Sequence, residues 1–167
     1  IKPQELQISK EENSLSILSW NIKMFPFPYG WFFNSVERAE NIIYALKISA
    51  MYDVILFQEA FSSSIRNKIF SALKFKYPNQ VLVGDETAFY KIDSGLWVIS
   101  SIPIYLIDSI NFSDLRNTDS FSSKGAHLYS VTKNRQELYI INTHMQADYE
   151  TEYSNIRTRP YLHTCIP

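Results

Sequence analysis

The chain has 167 residues, of which 46% are hydrophobic and 20% charged, and its net charge is -1. These values are typical of one globular domain with a sizeable core, and they exclude a disordered tail, which would contain fewer aromatic and aliphatic residues. The single cysteine, Cys165, excludes a disulfide scaffold, and no apolar run reaches the roughly 18 residues that cross a bilayer. Near-zero charge argues against a protein that holds nucleic acid by bulk electrostatics.

The first 14 residues are charged and lack the apolar core of a signal peptide, so we interpret residues 1–14 as an N-terminal extension. Ile1 in place of methionine indicates that a leader was removed or that the chain starts inside a longer gene. The rest of the chain shows no internal repeat and no dividing linker, which predicts one domain.

In the first half of the chain, strand-like and helical patterns alternate. Apolar residues at spacings of three and four over residues 36–51 predict a helix, with Asn34 and Glu37 as its N-terminal capping pair. The dense apolar run 53–57 predicts a buried strand. The predicted order is strand, helix, strand and helix, over residues 15–20, 36–51, 53–57 and 64–74.

The second half of the chain is interpreted as mostly strands, over residues 80–83, 88–92, 95–100, 104–107, 126–133 and 137–143. Asn134, Arg135 and Gln136, between the last two runs, predict a three-residue hairpin loop. Strands that first alternate with helices and then follow one another predict an α/β (α+β) fold with a mixed sheet.

Three of the strand-like runs end in polar side chains: Asn21, the pair Gln58-Glu59, and His144. Ligand sites of open α/β sheets lie beyond the carboxyl ends of strands, so these side chains predict a hydrolytic site. The oxygens of Glu59 and Asn21 suit Mg²⁺, and His144 is suited to orient or protonate a substrate phosphate. The alternative is that each is simply the first loop residue after a strand.

Five segments, taken in order, carry a family resemblance: ILSWNIKMFP (17–26), DVILFQEAF (53–61), DSGLWVISSIPI (93–104), SKGAHLYSV (123–131) and INTHMQAD (141–148). Their order and spacing resemble the endonuclease/exonuclease/phosphatase superfamily and, within it, the sphingomyelinase branch. Gln-Glu followed by a small residue and Phe is closer to sphingomyelinases than to nucleases. The resemblance implies a DNase I-like two-sheet β-sandwich flanked by helices.

The same resemblance assigns roles to individual residues. It implies that Asn21 and Glu59 lie at a Mg²⁺ ion and that His144 contacts the scissile phosphate. Lys124 of the segment 123–131 is expected to neutralise phosphate charge. Asp119 lies on the approach to that segment in the sequence. For Lys124, a solvated surface lysine is the alternative.

The implied activity is Mg²⁺-dependent hydrolysis of sphingomyelin to phosphocholine and ceramide at a membrane surface, by a secreted enzyme. Two elements of the family are missing from the sequence, a G-D-x-N motif and an Asp-His pair near the C-terminus. We therefore expect a domain that is incomplete at its C-terminus, over residues 15–154, followed by an atypical tail, residues 155–167. We also expect this chain to be inactive or weakly active.

Two rival functions stay open. One is another superfamily phosphoesterase, such as an inositol-phosphate phosphatase or a nuclease; the lack of a basic excess argues against the nuclease. The aromatic stretch 25–33 suits a lipid interface, although a packed loop explains it equally well. The other rival is an inactive truncated paralogue that at most binds lipid. For Arg38, a match to a family arginine competes with an ordinary salt bridge on the helix surface.

Overall fold

The computed structural model describes residues 14–25, 34–81, 95–112 and 125–145. These residues form two helices and two sheets, with strand orders β1-β2-β4-β3 and β5-β6-β7. The elements, in chain order, are β1 (Ile17–Asn21), α1 (Ser35–Ile48), β2 (Val54–Gln58), α2 (Ser63–Leu73), β3 (Asn79–Val81), β4 (Trp97–Ser100), β5 (Ile104–Asn111), β6 (Gly125–Lys133) and β7 (Gln136–His144).

The first sheet is mixed, as predicted. Strand β1 runs parallel to β2, and β4 runs antiparallel to both β2 and β3. Because β1 and β2 are parallel and in register, Asn21 at the end of β1 is paired with Gln58 at the end of β2. The polar residues that end these strands are therefore neighbours at one edge of the sheet.

Two hydrophobic cores lie on the two faces of the first sheet. On one face, Ile55 and Phe57 of β2 belong to a core with the apolar sides of both helices. On the other face, Val54 and Leu56 pack with residues of the second sheet, among them Tyr129. The layers are thus helices, sheet and sheet, which confirms the predicted two-sheet sandwich. Burial on both faces explains why β2 is a continuous apolar run.

The helix predictions are confirmed to within three residues at each end. In α2, Ile65, Ile69 and Leu73 are buried at the predicted spacing. The capping prediction for α1 is wrong, because Asn34 has φ 49° and ψ 41° and its side chain makes no capping hydrogen bond. Capping side chains reach the first turn from extended backbone, and this left-handed conformation does not provide it.

The loop of the β6–β7 hairpin is one residue shorter than predicted. Lys133 pairs with Gln136, so only Asn134 and Arg135 form the turn. Both have positive φ, 52° and 66°, as a two-residue type I′ turn requires. The predicted strand over 88–92, the extension before residue 14 and the tail 155–167 lie outside the described residues.

A network of polar groups joins the two sheets at the start of β2. Asp53 accepts hydrogen bonds from the Ser16 backbone N–H at 2.7 Å, from the Ser16 hydroxyl at 2.9 Å and from the Lys133 ammonium at 2.6 Å. Burial alone raises the pKa of the Asp53 carboxyl, but these hydrogen bonds and the Lys133 charge outweigh it, so the pKa lies below its ordinary value.

Within the described ranges, no helix has the length and apolar character that crossing a membrane requires.

Candidate functional site

The three predicted polar strand ends meet at the opposite end of β2. Asn21 Nδ2 donates a hydrogen bond to Glu59 Oε1 at 2.6 Å. His144 Nε2 lies 3.4 Å from the same oxygen, across the two sheets. One carboxylate oxygen is therefore shared by an amide and an imidazole. The juxtaposition that the strand ends predict is confirmed, and the roles of the three residues stay predictions.

The Glu59 backbone turns sharply away from the strand. Its φ is 54°, in the left-handed region that a non-glycine residue adopts only when the surroundings hold it there. Two hydrogen bonds hold it: Met24 N–H donates to Glu59 O at 2.7 Å, and Ala60 N–H donates to Gly95 O at 2.9 Å. Strained backbone of this kind is frequent at functional sites.

Gly95 permits the close approach of this turn. Its φ is 65°, and a Cβ there would lie 2.6 Å from Phe61 Cε1 and 3.1 Å from Glu59 Cα. Any larger residue would displace the Phe61 ring or the Glu59 backbone. The Phe61 ring lies 6.2 Å from the His144 ring and stacks on Phe25 at 5.6 Å, measured between centroids. Phe61 thus forms an aromatic wall beside the imidazole.

The amide of Asn21 has a fixed orientation. Its Oδ1 accepts a hydrogen bond from the Lys23 backbone N–H at 3.1 Å, while its Nδ2 donates to Glu59. Lys23 has φ 49°, so the side chain of Asn21 stabilises a tight turn directly after β1. Asn21 therefore orients the carboxylate of Glu59 in addition to carrying an oxygen of its own.

Arg38 of α1 holds the same turn from the helix side. Its guanidinium donates to Ile22 O at 2.7 Å and to Lys23 O at 3.3 Å. These partners are backbone carbonyls and not carboxylates. The alternative of a salt bridge from Arg38 on the helix surface is therefore not found among the described residues. The sequence signal for this role was weak, since it requires knowing which loop α1 packs against.

The side chains that meet here fit a hard cation that keeps much of its water. A carboxylate and an amide oxygen are typical Mg²⁺ ligands, and the Glu59 side chain is 19% exposed, which leaves it accessible to solvent. In the part of the chain that the structure describes, no group of three or more His, Cys, Asp and Glu side chains is placed to hold a metal ion. The described residues that would hold such a cation are Glu59 and Asn21. Lys124 and Asp119 lie outside the described residues.

No protein-family model matches the chain. The chain is similar to sphingomyelinase C of Bacillus cereus, with 25% identity over 84% of this chain and 46% of that protein. It is also similar to sphingomyelinase C of Leptospira interrogans, with 30% identity over 82% of this chain and 27% of that protein. The chain thus spans about half the length, or less, of these relatives.

Solved structures show the same relationship. The crystal structure of SmcL matches with a TM-score of 0.68 and 25% identity, over 83% of this chain and 50% of that chain. A mutant beta toxin from Staphylococcus aureus with bound magnesium ions matches with a TM-score of 0.70 and 24% identity, over 81% of this chain and 51% of that chain. The resemblance to the sphingomyelinase branch of the superfamily is confirmed over most of this chain, as is the DNase I-like fold.

Proposed function

We propose that this chain contributes the metal-binding and phosphate-contacting groups of a Mg²⁺-dependent phosphodiesterase that hydrolyses sphingomyelin to phosphocholine and ceramide. The meeting of Asn21, Glu59 and His144 around one carboxylate oxygen carries the proposal. The name of both reported relatives, sphingomyelinase C, supports hydrolysis of a phospholipid. Such a substrate requires the enzyme to act at a membrane surface, and we propose that it does so after secretion.

In this proposal each residue has a distinct task. Glu59 and Asn21 hold the cation through their side-chain oxygens, and Asn21 also orients the Glu59 carboxylate through its N–H. Bound Mg²⁺ would neutralise negative charge on the phosphoryl oxygens. His144 donates a hydrogen bond to a phosphate oxygen, where preorganised donors stabilise charge in the transition state. Lys124 adds positive charge near the phosphate, with Asp119 on the approach, as the resemblance implies.

The surroundings of His144 support a role in contacting substrate. Its side chain is only 10% exposed, and the Phe61 ring lies beside it. A largely buried donor is screened little by water, so its hydrogen bond to an anionic oxygen is strong. The contact with Glu59 favours the imidazole orientation in which Nε2 faces the site.

Binding of Mg²⁺ and turnover are measured separately, because the chain spans about half the length of its relatives. Isothermal titration calorimetry measures Mg²⁺ binding to the wild-type chain and to Glu59→Gln. We expect Glu59→Gln to weaken binding more than about 100-fold. The matched control is Glu40→Gln, which removes a surface carboxylate paired with Lys68 on the two helices. Equal affinities of wild type and Glu59→Gln would overturn the metal site.

Turnover is tested with sphingomyelin vesicles by measuring released phosphocholine, with inositol phosphates and DNA as comparison substrates. Mg²⁺-dependent release from sphingomyelin alone supports the proposal. Preferential hydrolysis of inositol phosphates or DNA assigns the chain to another superfamily activity. Vesicle binding without hydrolysis, unchanged in Glu59→Ala, indicates a lipid-binding protein instead.

A further inference from the structure

Two side-chain amides connect the sheets directly beside the candidate site. Gln58 is the last residue of β2, and Asn142 lies in β7, two residues before His144. Gln58 Nε2 donates to Asn142 Oδ1 at 2.7 Å, and Asn142 Nδ2 donates to Phe57 O at 3.0 Å. Asn142 is 2% exposed. The end of β7 is therefore hydrogen-bonded through one side chain to two consecutive residues of β2.

The partners allow only one orientation of both amides. A backbone carbonyl only accepts hydrogen bonds, so the NH₂ group of Asn142 must face Phe57 O. Asn142 Oδ1 then faces Gln58, which must present its own NH₂ group. The second N–H of Gln58 is directed to the Ser19 hydroxyl at 3.2 Å. Rotating either amide by half a turn would place two oxygens or two NH₂ groups face to face.

The Gln58–Asn142 pair lies next to both residues of the contact between Glu59 and His144. Gln58 directly precedes Glu59 in the chain. Asn142 and His144 share one face of β7, since side chains two residues apart on a strand point the same way and both residues are buried. The hydrogen bonds of the pair therefore constrain the residue before Glu59 and the neighbour of His144 on the same face of β7.

We propose that Gln58 and Asn142 are positioning residues, which fix the end of β7 against β2 and thereby hold the His144 imidazole at its distance from Glu59. This inference deepens the proposed function, and its activity readout rests on that function. A purely structural pair would lower stability when broken and leave the imidazole in place. A positioning pair displaces the imidazole even in a variant that stays folded.

Two variants break the pair differently. Asn142→Asp keeps the shape and the acceptor toward Gln58, but it places an oxygen against Phe57 O. Gln58→Met keeps the length of the side chain and removes its hydrogen bonds without adding charge. Asn134→Asp makes the same charge change in the exposed turn of the same hairpin, and Gln136→Met makes the same exchange at the exposed start of β7.

The readout is the nuclear Overhauser effect between ring protons of His144 and Phe61, whose centroids lie 6.2 Å apart. The full chain is used, and backbone amide spectra identify folded variants. We expect the effect in wild type and both controls, and a several-fold weaker or absent effect in Asn142→Asp and Gln58→Met. Gln58 is only partly buried, so we expect Gln58→Met to fold and to test the inference even where Asn142→Asp does not fold.

An unchanged ring-to-ring effect in a folded Gln58→Met or Asn142→Asp overturns the inference. Where the chain hydrolyses sphingomyelin, Asn142→Asp is expected to lower kcat about 100-fold, because small displacements of reacting groups have effects of that size. KM should change little, and Asn134→Asp should match wild type. The ring-to-ring effect needs no turnover, so failure of the proposed function and failure of this inference give different results.

Discussion

The two ends of β2 each carry a carboxylate, and the two carboxylates have different surroundings. At the start of the strand, the Asp53 side chain is 5% exposed and accepts hydrogen bonds from Lys133 and Ser16. Just after the end of the strand, the Glu59 side chain is 19% exposed and contacts the amide of Asn21 and the imidazole of His144.

Under the proposed function, this difference separates a stabilising role from a chemical role along one strand. Asp53 is paired with the Lys133 ammonium, and its pKa is lowered, so its ionised carboxylate stabilises the fold. Glu59 lies on left-handed backbone and remains accessible to solvent, which suits a group that binds a ligand. We therefore expect substitutions at the Asp53 end to change unfolding, and substitutions at the Glu59 end to change Mg²⁺ binding.

The largest expected effect on stability is that of Lys133→Met. The variant leaves the buried Asp53 carboxylate without its cation, which destabilises the fold by about 3 kcal/mol. Urea unfolding measures the change, and calorimetric Mg²⁺ binding at low denaturant should match wild type. The matched control is Lys68→Met, whose ion pair with Glu40 is exposed on the helices. Equal losses of stability in the two variants would contradict the role of the buried pair.

Gly95→Ala tests the opposite end. The added Cβ would lie 2.6 Å from the Phe61 ring, and the alanine backbone would have to adopt φ 65°. We expect a loss of stability of roughly 1–3 kcal/mol, accompanied by weaker Mg²⁺ binding, because the Glu59 turn packs on this glycine. Calorimetry on the folded variant checks the second part. A variant that loses stability and binds Mg²⁺ like wild type would show that the turn does not control Glu59.

Arg38→Met removes the two hydrogen bonds to the carbonyls after Asn21. Because Asn21 orients Glu59 from that turn, we expect about tenfold weaker Mg²⁺ binding, as for residues that support metal ligands. Stability should fall by about 1–2 kcal/mol, since the hydrogen bonds involve a charged donor. Arg38→Lys should restore little, because an ammonium lacks the planar fork. Wild-type affinity in Arg38→Met would disprove this link.

The smallest effect is the dependence of stability on pH. The pKa of Asp53 is lower in the folded protein than its ordinary value. Its contribution is therefore complete above the ordinary pKa and is lost as the pH falls below about 4, through the folded pKa. Urea unfolding from pH 6 to pH 3 should show a shallower acid loss in Asp53→Asn than in wild type. Parallel curves would contradict this prediction.

Much of the fold can be predicted from the sequence, because the helices and strands follow from the local periodicity of apolar residues. The spacing of Ile65, Ile69 and Leu73 predicts α2, and the apolar run before Gln58 predicts a strand that is buried on both faces. Polar residues at strand ends predict the meeting of Asn21 and Glu59, since parallel strands end at the same edge.

The remaining features depend on contacts between distant segments. The amides of Gln58 and Asn142 are 84 residues apart in sequence, and nothing local pairs them. The hydrogen bonds from Arg38 to the turn after β1 depend on how α1 packs. Gly95 is one of only four glycines in the sequence, but the Phe61 ring that approaches it becomes visible only in the structure.

The most direct test compares Asp53→Asn with Glu59→Gln, since both exchange a carboxylate for an amide at opposite ends of β2. Urea unfolding and Mg²⁺ calorimetry are measured on each. We predict that Asp53→Asn loses about 2 kcal/mol of stability and keeps wild-type Mg²⁺ affinity. Glu59→Gln should lose Mg²⁺ binding and keep stability within about 1 kcal/mol. Loss of Mg²⁺ binding in both variants, or in neither, would contradict the division of roles between the two ends.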